Sequence, residues 1–163
     1  MDISQAGVSL TAQFEGLAQV NPNDGLVYPY ADPVGLPTIG YGNRTDLNGN
    51  RVTMNTSPIT QDQAMQLLQN VLEQFVTEVN NMVTVQLTQN QFDALVDFAY
   101  NAGAANLQSS TLLRLLNAGN YAGAAAQFIR WNKATSNGQL IVLPGLTRRR
   151  NAEAQLFNTP DAD

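Results

Sequence analysis

Tyr28-Pro29-Tyr30-Ala31-Asp32-Pro33-Val34-Gly35-Leu36-Pro37-Thr38-Ile39-Gly40-Tyr41-Gly42 reads as a small, tightly turned hairpin and not as a helix. Three glycines and three prolines fall within it, and Thr38-Ile39-Gly40-Tyr41 alternates as a strand does. Glycine serves where a backbone bends sharply or comes close to a ligand. Asp32 stands at the start of the turn and Thr38 near the start of the second strand, so a carboxylate and a hydroxyl ride on stiff local structure. Upstream, Glu15 in Ala12-Gln13-Phe14-Glu15-Gly16 falls at the expected C-terminal end of an amphipathic helix over residues 3–15. That end of a helix disfavours negative charge, so the acid needs a compensating cation or a raised pKa. Otherwise it is simply solvated. One carboxylate on a helix end and a second on a hairpin can form an acid/base pair across a cleft.

The totals narrow the chemistry. With 163 residues, 44% of them hydrophobic and 13% charged, the chain is an ordinary globular domain. No apolar run approaches the roughly 18 residues of a membrane span. The start, Met1-Asp2-Ile3-Ser4-Gln5, lacks the basic and apolar regions of a secretory signal, so no export address is expected. There is no cysteine and no histidine, which removes thiolate chemistry, disulfides and the commonest general base. Carboxylates are left to carry most proton transfers. Residues 1–109 hold ten acidic and two basic side chains; residues 110–157 hold six basic (Arg114, Arg130, Lys133, Arg148, Arg149, Arg150) and one acidic (Glu153). Such a basic stretch either meets a polyanion or supplies helix caps and internal ion pairs.

Along the chain, residues 17–27 are a loop by composition, with Asn21-Pro22-Asn23-Asp24-Gly25 at its centre. Residues 44–55 read as a further turn and strand, completing a three-stranded antiparallel sheet. Thr60-Gln61-Asp62-Gln63 is a capping box opening a long helix to about residue 82. Thr88-Gln89-Asn90-Gln91 repeats it. Ser109-Ser110 caps a helix over 111–117, residues 121–131 form an alanine-rich helix ending in the sole tryptophan, and Gly145 opens the final helix. Residues 132–144 are expected to be a loop turning at Ser136-Asn137-Gly138, unusually apolar at Leu140-Ile141-Val142-Leu143. Residues 158–163 are expected to fray.

Phe14-Glu15-Gly16 followed by Tyr30-x-Asp32-x-x-Gly35-x-x-Thr38-Ile39-Gly40-Tyr41-Gly42 resembles the phage-type lysozyme (endolysin, muramidase) family. The resemblance resumes at Phe98-x-Tyr100-Asn101-x-Gly103, Ser110-Thr111-Leu112-Leu113, Asn117-x-Gly119-x-Tyr121, Trp131 and Pro144-Gly145-Leu146-x-Arg148-Arg149-Arg150-x-x-Glu153, in the family's order. It implies an α+β, mainly helical, two-lobed lysozyme-like fold as one domain. A small lobe over about 17–59 would carry the three-stranded sheet, and a helical lobe over about 60–157 would join the N-terminal helix 3–15 through a long connecting helix.

The resemblance also assigns roles. Glu15 is the general acid, Asp32 the ionised partner and Thr38 the holder of the attacking water. Tyr100, Asn101 and Ser110 would bind substrate, and Arg149 or Arg150 would pair with the acid. The sequence departs from the family in two places. The family's shorter spacing from the Glu lands on Asp24, which competes with Asp32 unless residues 18–27 are an insertion. Asn43 follows Gly-Tyr-Gly where His is common, and it is expected to retune hydrogen bonding without abolishing it. The implied reaction is hydrolysis of the β-1,4 bond between N-acetylmuramic acid and N-acetylglucosamine in peptidoglycan, with inversion if the carboxyls stand roughly 6.5–9.5 Å apart. No metal or cofactor is needed, and no nucleic acid or stable membrane insertion is expected. A monomer held in the host cytoplasm until a separate holin opens the membrane fits this reading. A lytic transglycosylase using Glu15 alone, a non-catalytic wall-binding module and a structural domain of a virion are the rivals.

Overall fold

The computed structural model describes residues 1–161. In chain order its elements are α1 (Gln5–Glu15), β1 (Tyr30–Ala31), β2 (Pro37–Thr38), α2 (Gln61–Met82), α3 (Gln89–Ala102), α4 (Ala104–Ser109), α5 (Thr111–Asn117), α6 (Tyr121–Ala125), a 3-10 turn (Phe128–Trp131), β3 (Lys133–Ser136), β4 (Gln139–Val142) and α7 (Pro144–Asn158). The mainly helical α+β class holds. Two compact units make up the chain, Val8–Glu73 on the one hand and Met1–Gly7 with Gln74–Asp163 on the other.

In the unit Val8–Glu73 the irregular stretches are ordered around one apolar cluster. Val27, Ile39, Val52, Ala64 and Leu67 are buried together, with Leu17, Tyr41 and Ile59 packed against them. Burying a side chain of this size contributes about 1.5–3 kcal/mol, which holds short strands that could not pair stably by themselves. The expected three-stranded sheet resolves into a two-stranded ladder, β1 against β2, with Thr45 and Arg51 joined only by an isolated bridge. The segment pairs with itself instead: the Asp46 carboxylate accepts from the amides of Asn48 and Asn50, and the Val52 amide donates to the Arg44 carbonyl (2.9 Å), so these backbone groups are spent within the turn. The Thr60 capping box is formed, with Gln63 N donating to Thr60 Oγ1 (3.1 Å) and Thr60 N to Gln63 Oε1 (2.9 Å). At Gly40 (φ +66°) a Cβ would stand 3.2 Å from that of Ala64, so α2 lies close under the hairpin.

In the other unit α3 is the central element. Every residue from Phe92 to Ala99 is buried, and α7 is its main partner. Phe98 meets Phe128 and Trp131 edge-on, each with centroids 5.6 Å apart, and Phe128 meets Phe157 at the same distance. Trp131 is therefore a packing residue, as its position at the end of an apolar helix suggests. The Thr88 box caps α3 as read from sequence. The helix expected over 121–131 breaks after Ala125 into a turn and a 3-10 segment. Helix α4 was not anticipated, and residues 133–142, expected to be a loop, form a four-residue antiparallel hairpin. Among the described residues no helix is long and apolar enough to cross a membrane.

The tail departs from expectation as far as it is described. Helix α7 runs through Asn158, and the Asp161 carboxylate accepts from the amides of Gln89 (2.8 Å) and Asn90 (2.9 Å). Asn90 Nδ2 donates to the carbonyls of Thr159 and Pro160. The first amides of a helix lack internal partners, so a carboxylate docks there readily. Residues 162 and 163 lie outside the described residues.

Candidate active site

Glu15 is the last residue of α1 and is half-buried. Gly16, at φ +72°, ends the helix by donating to the Ala12 carbonyl (3.0 Å). The sequence thus stops the helix one residue past the acid and places its side chain on the final turn.

Thr38 lies at the base of the β1–β2 hairpin, where it pairs across to Tyr30, and Asp32 opens the turn that joins the two strands. Asp32 organises its own turn. Its Oδ1 accepts from the amides of Leu36 (2.9 Å) and Val34 (3.0 Å), while its backbone closes on Gly35 and Leu36. Gly35, at φ +84°, takes the left-handed conformation that completes the loop. The second oxygen, Oδ2, accepts from Arg44 at 2.8 Å. The Leu36 amide, then that of Val34 and the Arg44 guanidinium, hold the Asp32 carboxyl below the usual carboxylate range. Asp32 is an anion fixed in place by its own loop. Thr38 is 2% exposed and its hydroxyl donates to the Tyr30 carbonyl (3.3 Å), which leaves its oxygen lone pairs to accept a further hydrogen.

Asp24 has other work. It accepts from the Leu26 amide (2.9 Å), the Tyr28 hydroxyl (2.9 Å) and Asn21 Nδ2 (3.2 Å), pinning residues 21–28 into a closed loop. Asn43 is buried, donates from Nδ2 to the Leu67 carbonyl of α2 (3.3 Å), and pairs its backbone with Ile39. At the position where histidine is common it ties the hairpin to the helix. Arg44, which sequence reasoning did not single out, is the partner of Asp32. Nothing local marks it, because the pairing spans twelve residues.

The remaining expected residues belong to the helical unit. Tyr100 stands edge-on to Phe75 (5.5 Å between centroids), with the Arg149 guanidinium 5.8 Å from its ring centre. Asn101 lies within α3 and its Oδ1 accepts from Arg150 (2.8 Å). Ser110 is buried as the N-cap of α5; its hydroxyl donates to the Leu107 carbonyl (2.6 Å) and accepts from the Leu113 amide (3.0 Å). That hydroxyl serves the cap with one donated and one accepted bond. Arg149 grips Asp97 with two hydrogen bonds, 2.7 and 3.0 Å, and Arg150 binds Glu153 at 2.6 Å. Among the described residues no group of three or more carboxylates is placed to hold a metal.

The phage lysozyme profile matches residues 13–153. The chain belongs to the phage lysozyme family. Within that family it is 39% identical over 159 residues to an endolysin of Acyrthosiphon pisum secondary endosymbiont phage 1, covering 98% of this chain and 99% of that one. It is 42% identical over 163 residues to an endolysin of Bacillus phage B103, covering 99% of this chain and spanning 56% of that longer protein. The solved endolysin from Escherichia coli O157:H7 phage FAHEc1 superposes with a TM-score of 0.82 at 39% identity, over 97% of this chain and 94% of that one. Members of the phage lysozyme family are thus similar to this chain from the α1 terminus through α7.

Proposed function

We propose that this chain is a lytic endolysin that hydrolyses the β-1,4 bond between N-acetylmuramic acid and N-acetylglucosamine in bacterial peptidoglycan. The observation that carries the reading is the ionised Asp32, fixed by its own turn amides on the Thr38 hairpin, in a chain of the phage lysozyme family. A carboxylate meant to stay charged beside a developing oxocarbenium ion needs such donors. Glu15 is the general acid, protonating the leaving oxygen. Asp32 removes a proton from the attacking water, and Thr38 orients that water through its free lone pairs. Attack from the face opposite the leaving group inverts the anomeric carbon. Carboxylates alone carry the proton transfers, in keeping with a chain that has neither histidine nor cysteine. The protein works as a monomer, and a separate holin gives it access to the wall.

The test is digestion of purified peptidoglycan with analysis of the products. Reducing ends with inverted anomeric configuration are expected, and Glu15→Gln should fold normally yet release none. Release of 1,6-anhydro ends would identify a transglycosylase. Turnover by Glu15→Gln at the parent rate would remove Glu15 from the mechanism.

A further inference from the structure

The hairpin β3–β4 exposes the wrong side chains for a solvated loop. Leu140, Val142 and Ile141 are 66%, 53% and 40% exposed, and Ile129 nearby is 38% exposed. Asn137 (φ 49°) and Gly138 (φ 76°) make the tight turn, and each strand makes broad contact only with the other. The register pairs Lys133 with Val142 and Thr135 with Leu140, so two aliphatic side chains and an ammonium group share one face. That face borders a surface pocket of about 480 Å³ lined by Thr111, Gln127, Arg130, Trp131, Lys133 and Leu140. Arg130 and Lys133 have no carboxylate partner among the described residues. From residue 98 to residue 152 the sequence holds no acidic side chain at all.

We infer that this hairpin and its basic pocket are a docking surface for an anionic phospholipid bilayer. Exposed aliphatic side chains beside cations are the composition of an interfacial membrane contact: the apolar groups enter the boundary between headgroups and acyl chains, and the cations meet lipid phosphates. A wall peptide, the other anionic candidate, offers carboxylates and amides but little apolar volume to cover Leu140 and Val142 on the face they share with Lys133. The outer edges of a two-stranded ladder carry unpaired N–H and C=O groups, which cannot leave water for hydrocarbon. The contact is therefore peripheral and lies at headgroup depth. It would hold the protein at a membrane surface facing the wall. This inference is independent of the glycosidase reading, since a vesicle contains no glycan.

The experiment is co-sedimentation of the full chain with vesicles of phosphatidylcholine alone or mixed with phosphatidylglycerol. Binding to the phosphatidylglycerol vesicles only, weakening with added salt, is expected. Arg130→Gln and Lys133→Gln should each weaken it about fivefold, and Leu140→Gln with Val142→Gln on the order of tenfold or more. All four positions are exposed or line the surface pocket, so melting temperatures should match the parent, as should digestion of purified peptidoglycan. Equal binding to both vesicle types, no binding to either, or hairpin variants that bind like the parent would each overturn the inference. Unaltered vesicle binding together with weakened retention on peptide-bearing wall would reassign the pocket to peptide carboxylates.

Discussion

The Asp32 carboxylate accepts a 2.8 Å hydrogen bond from the Arg44 guanidinium on one oxygen while its other oxygen closes its own turn. The two interactions have different reach. The turn amides are fixed by the local backbone, whereas Arg44 reaches in from twelve residues away on a side chain that is 57% exposed.

Because Asp32 is held below the usual carboxylate range, chiefly by the Leu36 amide, the charged form persists as the medium is acidified. The acid limb of kcat/KM governed by Asp32 should therefore lie below that of an ordinary aspartate. Arg44→Gln removes one of the smaller contributions and should move that limb upward while leaving the turn intact. A pH–rate profile checks it; an unmoved limb would mean Arg44 does not act on Asp32 during turnover.

Asp32→Ala should abolish lysis, whereas Asp24→Ala should leave the rate near that of the parent and lower the melting temperature slightly. The reason is that Asp24 spends its oxygens on Leu26, Tyr28 and Asn21. Turbidity clearing and thermal melting of the two variants separate the roles. The opposite ordering of activities would make Asp24 the catalytic carboxylate.

Gly7 packs so closely that an added Cβ would lie 2.7 Å from Asp93 Cγ and 2.8 Å from Ile3 Cγ1. Asp93 is fully buried and held by the Ser4 amide and by Gln89, so it cannot swing away. Gly7→Ala should therefore destabilise by about 1–3 kcal/mol, although alanine is the better helix former. Denaturant unfolding measures it, and a neutral result would show that this contact relaxes freely.

Glu153 is fully buried between α7 and α3, and burial, reinforced by the neighbouring Asp97, pushes its carboxyl up to about 10 despite the two arginines. A carboxyl raised on folding binds more protons in the folded state than in the unfolded one. Its contribution to stability is full below its unfolded value near 4.5 and is lost as pH rises towards 10. The slope can reach about 1.4 kcal/mol per pH unit. Glu153→Gln cannot titrate, so between pH 5 and pH 9 (about the middle of that window) its melting temperature should fall less than the parent's. Parallel curves would mean Glu153 is ionised when folded.

What could be read without coordinates follows from the range of each interaction. The capping boxes at Thr60 and Thr88, the Ser110 cap and helix α5 are settled within a few residues, and each stood where the sequence indicated. The Asn137-Gly138 turn was equally legible, but its strands were not. Both of their faces are exposed, which erases the apolar–polar alternation that marks a half-buried strand.

The amino-acid sequence by itself determined the family, the hairpin carrying Asp32 and Thr38, and the helix end carrying Glu15, because motif, turn chemistry and capping are local. Only the tertiary structure decided that Arg44 serves Asp32, that Asp24 closes a loop, that Arg149 goes to Asp97 and Arg150 to Glu153, and that Asp161 caps α3. Arg44, Arg149 and Asp161 meet partners from distant parts of the chain, whereas the Asp24 and Arg150–Glu153 contacts are short-range choices among several donors and acceptors within reach. Which cation meets which carboxylate is fixed by how the hairpin closes and by how helices pack, and neither has a signature at the residues themselves.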